Sequence, residues 1–92
     1  MTCGVYCITV GKTRYFGASK DVRDRCNEHR WALRKGTHVN HRLQAAWNSF
    51  GPEAFSFKLV EEVPSEELRV AEQSWMDAYR HGFNILRAVG TK

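Results

Sequence analysis

Three segments of the chain carry the residue pattern of β-strands. Residues 4–10 (GVYCITV) and 13–18 (TRYFGA) are rich in β-branched and aromatic side chains. Gly11 and Lys12 separate them, so the two segments predict a β-hairpin. In residues 54–63 (AFSFKLVEEV), Phe55, Phe57 and Leu59 alternate with mostly polar positions, which predicts a third, half-buried strand.

Two helices are predicted between the hairpin and the third strand. Ser19 or Asp21 can cap a first helix that runs to about Lys35 and ends at Gly36. Asn40 can cap a second helix that ends at Gly51-Pro52. The apolar face of this second helix is formed by Leu43, Ala46, Trp47 and Phe50.

A third helix is predicted to start at Ser65 and to end near His81-Gly82. Its apolar stripe consists of Leu68, Ala71, Trp75, Met76 and Tyr79. The element order is then β-β-α-α-β-α. This order predicts one α+β domain over residues 1–92, with a small three-stranded antiparallel sheet flanked by three helices.

Composition narrows the class of protein only slightly. The 92 residues carry a net charge of +4 with a pI near 9.2, which suits a polyanionic partner but also matches many ordinary proteins. No apolar run approaches the roughly 18 residues of a membrane span, and no secretory signal pattern opens the chain. Cys3, Cys7 and Cys26 are odd in number and lack a CxxC spacing, so we expect reduced thiols in a cytoplasmic protein.

One acidic residue interrupts the apolar stripe of the third helix. Glu72 lies four residues after Leu68 and three before Trp75. A carboxylate is rarely buried without a partner, because its desolvation is costly. A bound cation would offset that cost. An edge position in solvent or a structural salt bridge with an arginine would do so equally well.

The first helix and the hairpin supply further candidate groups. Arg25 and His29 are four residues apart and project from one side of their helix, which suits a phosphate ligand as well as a plain helix surface. Tyr6 and Tyr15 are expected to lie opposite or diagonal to each other, as packing partners or as part of the same site.

A basic strip surrounds the loop between the first two helices. It contains Arg30, Arg34, Lys35, His38, His41 and Arg42. Such a strip is either a solvated face or a surface that follows a phosphate backbone. Taken together, two phenols, an arginine, a histidine and an acid form a set that could perform metal-assisted phosphodiester hydrolysis.

These residues resemble the GIY-YIG nuclease family over almost the whole chain. Gly4-Val5-Tyr6 and Tyr15-Phe16-Gly17 are similar to the family's paired signature. The other matching positions, in order, are Arg25, His29, Glu72 in Glu72-Gln73-Ser74-Trp75, and Asn84 in Phe83-Asn84-Ile85. The stretches 34–38 (RKGTH) and 43–57 (LQAAWNSFGPEAFSF) resemble the phage homing-endonuclease branch in particular.

The resemblance implies a metal-dependent DNA endonuclease with one Mg²⁺ or Mn²⁺ held by Glu72 plus waters and a phosphate oxygen. It implies that Tyr6 is the general base, that Arg25 stabilises the phosphate, and that Tyr15 and His29 orient the reacting groups. The substrate-binding residues would be His38, Arg34, Lys35, His41 and Arg42. Structural support would come from Gly4, Gly17 and Asn84.

The resemblance also leaves several points open. Ala18 stands where some relatives carry a lysine that helps to deprotonate the tyrosine, so the acceptor of the Tyr6 proton is undefined. Alternatives are a degenerate, non-catalytic DNA- or RNA-binding module and a protein-interaction domain that uses Trp31 and Trp47. We expect the cytoplasm of a bacterium or of a phage-infected host cell. The chain is either an excised catalytic head or a compact free-standing nuclease that has poor specificity or relies on a separate targeting partner, and its oligomeric state is not predicted.

Overall fold

The computed structural model describes residues 2–79 and confirms the α+β fold. The elements are β1 (Gly4–Val10), β2 (Thr13–Ser19), α1 (Val22–Lys35), α2 (His41–Phe50), β3 (Phe55–Glu62) and α3 (Leu68–Ala78). Short 3-10 helices at Pro52–Ala54 and Ser65–Glu67 precede β3 and α3. The three strands form one antiparallel sheet in the order β2-β1-β3.

The alternation of side chains along β1 sends one set of residues to each face of the sheet. Tyr6, Ile8 and Val10 pack with residues of α1 and α2. Val5 and Cys7 pack with Ala71 of α3, together with Phe16, Val63 and neighbouring half-buried side chains. The helices therefore cover both faces of the sheet, with α1 and α2 on one face and α3 on the other.

The helix ends follow the predicted capping chemistry. The Asp21 carboxylate accepts a hydrogen bond from the Asp24 backbone N–H, so Asp21 is the N-cap of α1. The Ser19 hydroxyl oxygen accepts a hydrogen bond from the backbone N–H of Asp21, just before the helix begins. Asn40 caps α2 by accepting from the Leu43 N–H. Gly36 ends α1 at φ +78°, a left-handed conformation that glycine adopts without a steric penalty.

Some predicted boundaries shift in the structure. Strand β2 continues through Ser19, β3 is shorter at both ends than residues 54–63, and the α-helical part of α3 begins at Leu68 rather than Ser65. The first residues after Pro64 form the 3-10 turn instead. The predicted end of α3 near residues 81–82 lies outside the described residues.

The outer parts of two apolar patterns are more exposed than predicted. Phe50 was expected on the inner face of α2 but is 69% exposed, because the helix packs through its earlier turns, where Leu43 is buried. Leu59 of β3 is also exposed. Phe55, Phe57 and Leu59 pair with Val10, Ile8 and Tyr6, so the predicted alternation holds through Leu59 and the register shift between Val5 and Tyr6 comes after it.

Two further sequence expectations concern the state of the cysteine thiols and the ability of a helix to cross a membrane. Cys3, Cys7 and Cys26 are free thiols, and the latter two are buried. Across residues 2–79, no helix combines the length and the apolar character needed to cross a bilayer.

Candidate active site

The phenol of Tyr6 lies across the neighbouring strand at Gly17. Tyr6 and Gly17 are paired in the β1–β2 register, so their side-chain positions point to the same face. A Cβ atom at Gly17 would overlap the Oη and Cζ atoms of Tyr6. The space that a larger residue would occupy is thus filled by the phenol, which is only 2% exposed. This gives a steric reason for the glycine in the second signature triplet.

Tyr15 lies diagonal to Tyr6 rather than opposite it. Its partner in the register is Ile8, two residues further along β1. The half-buried Tyr15 ring meets the His29 ring edge-on, with centroids 5.6 Å apart. Both phenols of the hairpin therefore flank the same imidazole.

His29 is carried to this position by the inner face of α1. Val22, Cys26 and Leu33 of the same helix are buried in the core, and His29 is itself 2% exposed. Its Nε2 atom lies 2.6 Å from the Tyr6 Oη, and its Nδ1 atom lies 2.7 Å from Nε2 of His38. The histidine is thus held between a phenol and a second imidazole.

Arg25 lies one turn before His29 and remains partly in solvent. Its Nη1 donates a hydrogen bond of 2.9 Å to Oε1 of Glu28, and its side chain is 42% exposed. Burial lowers the pKa of Arg25, but the nearby Tyr6, Glu28 and Tyr15 outweigh this effect and raise it overall. The guanidinium is therefore electrostatically coupled to both phenols.

Glu72 lies on the other face of the sheet from His29 and Arg25. It is half-buried on α3, which packs mainly against β2, one of the two edge strands. The charge of Glu72 contributes to raising the pKa of Tyr6. Helices α1 and α3 lie on opposite faces of the sheet, so the charges of Arg25 and Glu72 influence this phenol from both faces. Arg25 and Glu72 are each within electrostatic range of Tyr6.

The environment keeps both groups of the Tyr6–His29 pair neutral near pH 7. Burial is the main cause of the raised pKa of Tyr6; Tyr15, Cys26 and Glu72 add to it and Arg25 opposes it. Burial, followed by the charges of Arg25 and His38, lowers the pKa of His29 to about 3. The pKa of His38 is also lowered, again mainly by burial. A tyrosine in this environment needs additional positive charge to become a phenolate.

The predicted substrate-binding residues occupy two different environments. Arg34, Lys35, His41 and Arg42 are exposed around the connection between α1 and α2. His38 is 6% exposed and lies behind His29.

Of the predicted structural-support residues, Gly4 is explained by close strand packing. A Cβ atom at Gly4 would overlap the carbonyl oxygen of Glu61. Asn84 lies outside the described residues.

Sequence reasoning missed Gln44, which holds the loop that carries His38. Gln44 is buried; its Oε1 accepts from the His38 N–H, and its Nε2 donates to the Leu33 carbonyl. It thereby ties α2 to the end of α1 and to the loop between them. A polar residue directly after Leu43 and three residues before Trp47 was a usable signal, because it borders the apolar face of α2.

The side chains at this site suit a divalent cation that keeps several water ligands better than one that is held entirely by protein ligands. Within residues 2–79 no cluster of three or more histidine, cysteine or acidic side chains is placed to hold a metal ion. Mg²⁺ keeps several waters and is often bound by one or two carboxylates together with substrate phosphates. A single half-buried carboxylate, that of Glu72, fits that mode.

Two solved structures match the chain closely. The catalytic domain of intron endonuclease I-TevI, in a mutant form, has a TM-score of 0.86 and 28% identity, covering 99% of this chain and 100% of that chain. The catalytic domain of homing endonuclease I-TevI has a TM-score of 0.80 and 26% identity, covering 88% and 95%. The resemblance to the GIY-YIG nucleases is confirmed. No protein-family model and no curated protein matches the chain.

The packing of Tyr6 over Gly17 in this GIY-YIG fold yields a stability prediction. Gly17→Ala should lower the free energy of unfolding by about 1–3 kcal/mol, because the new methyl group must displace the phenol. In a Tyr6→Leu background the same change should cost less, since the overlapping ring atoms are gone. Urea unfolding of the two single variants and the double variant measures this coupling. Strictly additive costs would contradict the predicted overlap.

The buried neutral His29 makes the stability of the GIY-YIG fold depend on pH. Its folded pKa of about 3 lies below the ordinary 6.5, so its contribution is complete above pH 6.5 and is lost as the pH falls toward 3. Each pH unit below about 6.5 should cost about 1.4 kcal/mol for this histidine alone. His38 acts in the same direction. Urea unfolding at about pH 7 and about pH 5 tests this, because most carboxylates stay ionised over that range.

The matched control for the pH dependence is His29→Gln. This variant should show a shallower loss of stability between the two pH values, because one buried proton-binding site has been removed. Equal urea midpoints at the two pH values in the unmodified protein would contradict a neutral buried His29.

Proposed function

We propose that this chain is a Mg²⁺- or Mn²⁺-dependent DNA endonuclease domain that hydrolyses phosphodiester bonds, as in homing endonucleases. One observation supports this above all. The Tyr6 phenol contacts His29, and its pKa is lowered by the charge of Arg25 and raised by that of Glu72, from helices on opposite faces of the sheet. The overall fold is shared with an endonuclease catalytic domain.

The roles follow from what each side chain can reach. Tyr6 is the general base for the attacking water, and Tyr15 and His29 orient the reacting groups around it. Arg25 donates to the phosphate as negative charge develops on its oxygens. The Arg25–Glu28 pair is partly exposed and contributes little to stability. A phosphate dianion or diester can therefore replace Glu28 as the partner of the guanidinium at low cost.

Glu72 is the proposed metal ligand. When bound there, Mg²⁺ or Mn²⁺ would polarise the phosphate, stabilise the leaving 3′ oxygen and favour the phenolate form of Tyr6. Glu72 positions this charge on the α3 side of the phenol, while Arg25 supplies positive charge from α1. The phenol is thereby placed between two sources of positive charge, which counteract the effect of its burial.

DNA is the proposed partner, bound through the exposed cations near the first interhelical connection. Arg34, Lys35, His41 and Arg42 lie there, and the chain carries a net charge of +4. Contacts of this kind go to the phosphate backbone and carry no sequence information. Sequence preference would therefore come from a separate targeting domain or protein.

The proposed activity is tested by incubating supercoiled plasmid with the purified chain, with and without Mg²⁺. We expect nicked or linear products only when the metal is present. Salt-sensitive DNA binding without cleavage under any metal condition would instead identify a non-catalytic binding module. Absence of both would leave a protein-interaction domain.

Substitution of the proposed metal ligand gives a sharper test. Glu72→Gln should lower the cleavage rate by roughly 10²-fold or more and preserve DNA binding and folding, because it removes one charge without changing the side-chain size. Glu66→Gln is the matched control, since Glu66 is an exposed acid in the turn before α3. Cleavage by the Glu72 variant at the unmodified rate would remove Glu72 from the site.

Substitution of Arg25 tests the phosphate contact. Arg25→Ala should lower the cleavage rate by roughly 10²-fold, and Arg25→Lys should recover only part of it, because lysine lacks the forked donor geometry. Arg23→Ala, an exposed arginine on the same helix, controls for the loss of one positive charge. A rate loss below about threefold in Arg25→Ala would exclude the contact.

A further inference from the structure

Three hydrogen bonds connect a backbone amide to the phenol of Tyr6 through two buried imidazoles. The Asn40 backbone N lies 3.0 Å from His38 Nδ1. His38 Nε2 lies 2.7 Å from His29 Nδ1, and His29 Nε2 lies 2.6 Å from Tyr6 Oη. The two imidazole planes are within 22° of parallel. We call this series the His38–His29 relay.

The direction of this relay is set at its far end. A backbone N–H can only donate, so His38 Nδ1 must accept the hydrogen bond from Asn40 and cannot carry a proton. A neutral imidazole carries one N–H, which for His38 must then be on Nε2. His38 therefore donates to His29 Nδ1, and the proton of a neutral His29 lies on Nε2, where it donates to Tyr6 Oη.

The reverse direction requires an inaccessible charge state. If Tyr6 donated to His29 Nε2, the proton of His29 would lie on Nδ1 and would face His38 Nε2. His38 would then have to accept at both ring nitrogens and carry no proton at all, as an anion. Protonated rings fit no better, because a proton on His38 Nδ1 would face the Asn40 N–H, and a second proton on His29, at Nδ1, would face the Nε2–H of His38. The lowered pKa values of both histidines are consistent with this arrangement.

We propose that His38 is a positioning residue that, through this one-way relay, holds His29 in the Nε2–H form as a hydrogen-bond donor to Tyr6. The consequence for the reaction rests on the proposed nuclease function. A donor aimed at Oη stabilises the phenolate of Tyr6 and leaves His29 unable to take the Tyr6 proton. That proton must leave toward the substrate side of the phenol, which narrows the identity of its acceptor.

The tautomers can be measured without any cleavage assay. Long-range ¹H–¹⁵N correlation spectra of the imidazole rings distinguish an Nε2–H ring from an Nδ1–H ring. We expect both His29 and His38 to be Nε2–H at neutral pH, with the exposed His41 as an internal reference. An Nδ1–H form of either buried histidine would overturn the proposal, whether or not the protein cuts DNA.

Two substitutions separate the relay from a merely structural role of His38. His38→Asn keeps an oxygen that can accept from the Asn40 N–H, but it is too short to reach His29. His38→Gln retains an amide N–H that can donate to His29 Nδ1, but it leaves the Asn40 N–H without its imidazole partner. The first variant preserves the loop contact, and the second preserves the donor to His29.

We expect kcat to depend on which tautomer His29 adopts. His38→Asn should give a mixture of His29 tautomers and a kcat about tenfold lower with little change in KM, the size expected for one lost hydrogen bond. His38→Gln should retain the Nε2–H form and a kcat within about threefold of the unmodified protein. The opposite order, with the asparagine variant more active, would show that His38 only holds the loop. If no protein cleaves DNA, the proposed function fails while the spectra still decide the relay.

Discussion

The contact between the Tyr6 phenol and the bare backbone at Gly17 is the constraint on which the arrangement of this site depends. Strand pairing places both residues on one face of the sheet, and the missing side chain lets the phenol extend across the edge strand. There it meets His29 of α1 and comes within electrostatic range of Glu72 on α3. A larger residue at position 17 would close this passage.

This geometry supports the proposal that residues from helices on both faces of a small sheet act at one site. The sheet separates α1 from α3, and the charges of Arg25 and Glu72 nevertheless both influence Tyr6. The cost is a buried phenol whose pKa is raised. Arg25 opposes this rise in pKa through its positive charge, and the His38–His29 relay opposes it through a hydrogen bond to Tyr6 Oη. The pKa of Tyr6 nevertheless stays raised, so further positive charge is needed to form the phenolate.

Much of the fold could be predicted from local pattern. The caps at Asp21, Asn40 and Gly36 act between residues only a few positions apart, so the sequence shows them directly. The strand pattern on either side of Gly11 and Lys12 also placed the two signature triplets on a hairpin. Predictions failed where long-range packing decides exposure, as for Phe50 and Leu59.

By itself, the sequence determined the order of elements, the faces of the strands and the residue types available for chemistry, because these depend on local periodicity and capping. Only the tertiary structure decided that the charge of Glu72 influences the pKa of Tyr6 from the opposite face of the sheet, and that His38 lies buried behind His29 rather than exposed with its basic neighbours. Such relations depend on how distant segments pack. The direction of the hydrogen bonds then follows from the Asn40 backbone N–H, which can only donate. The pKa shifts of Tyr6 and His29 follow mainly from burial.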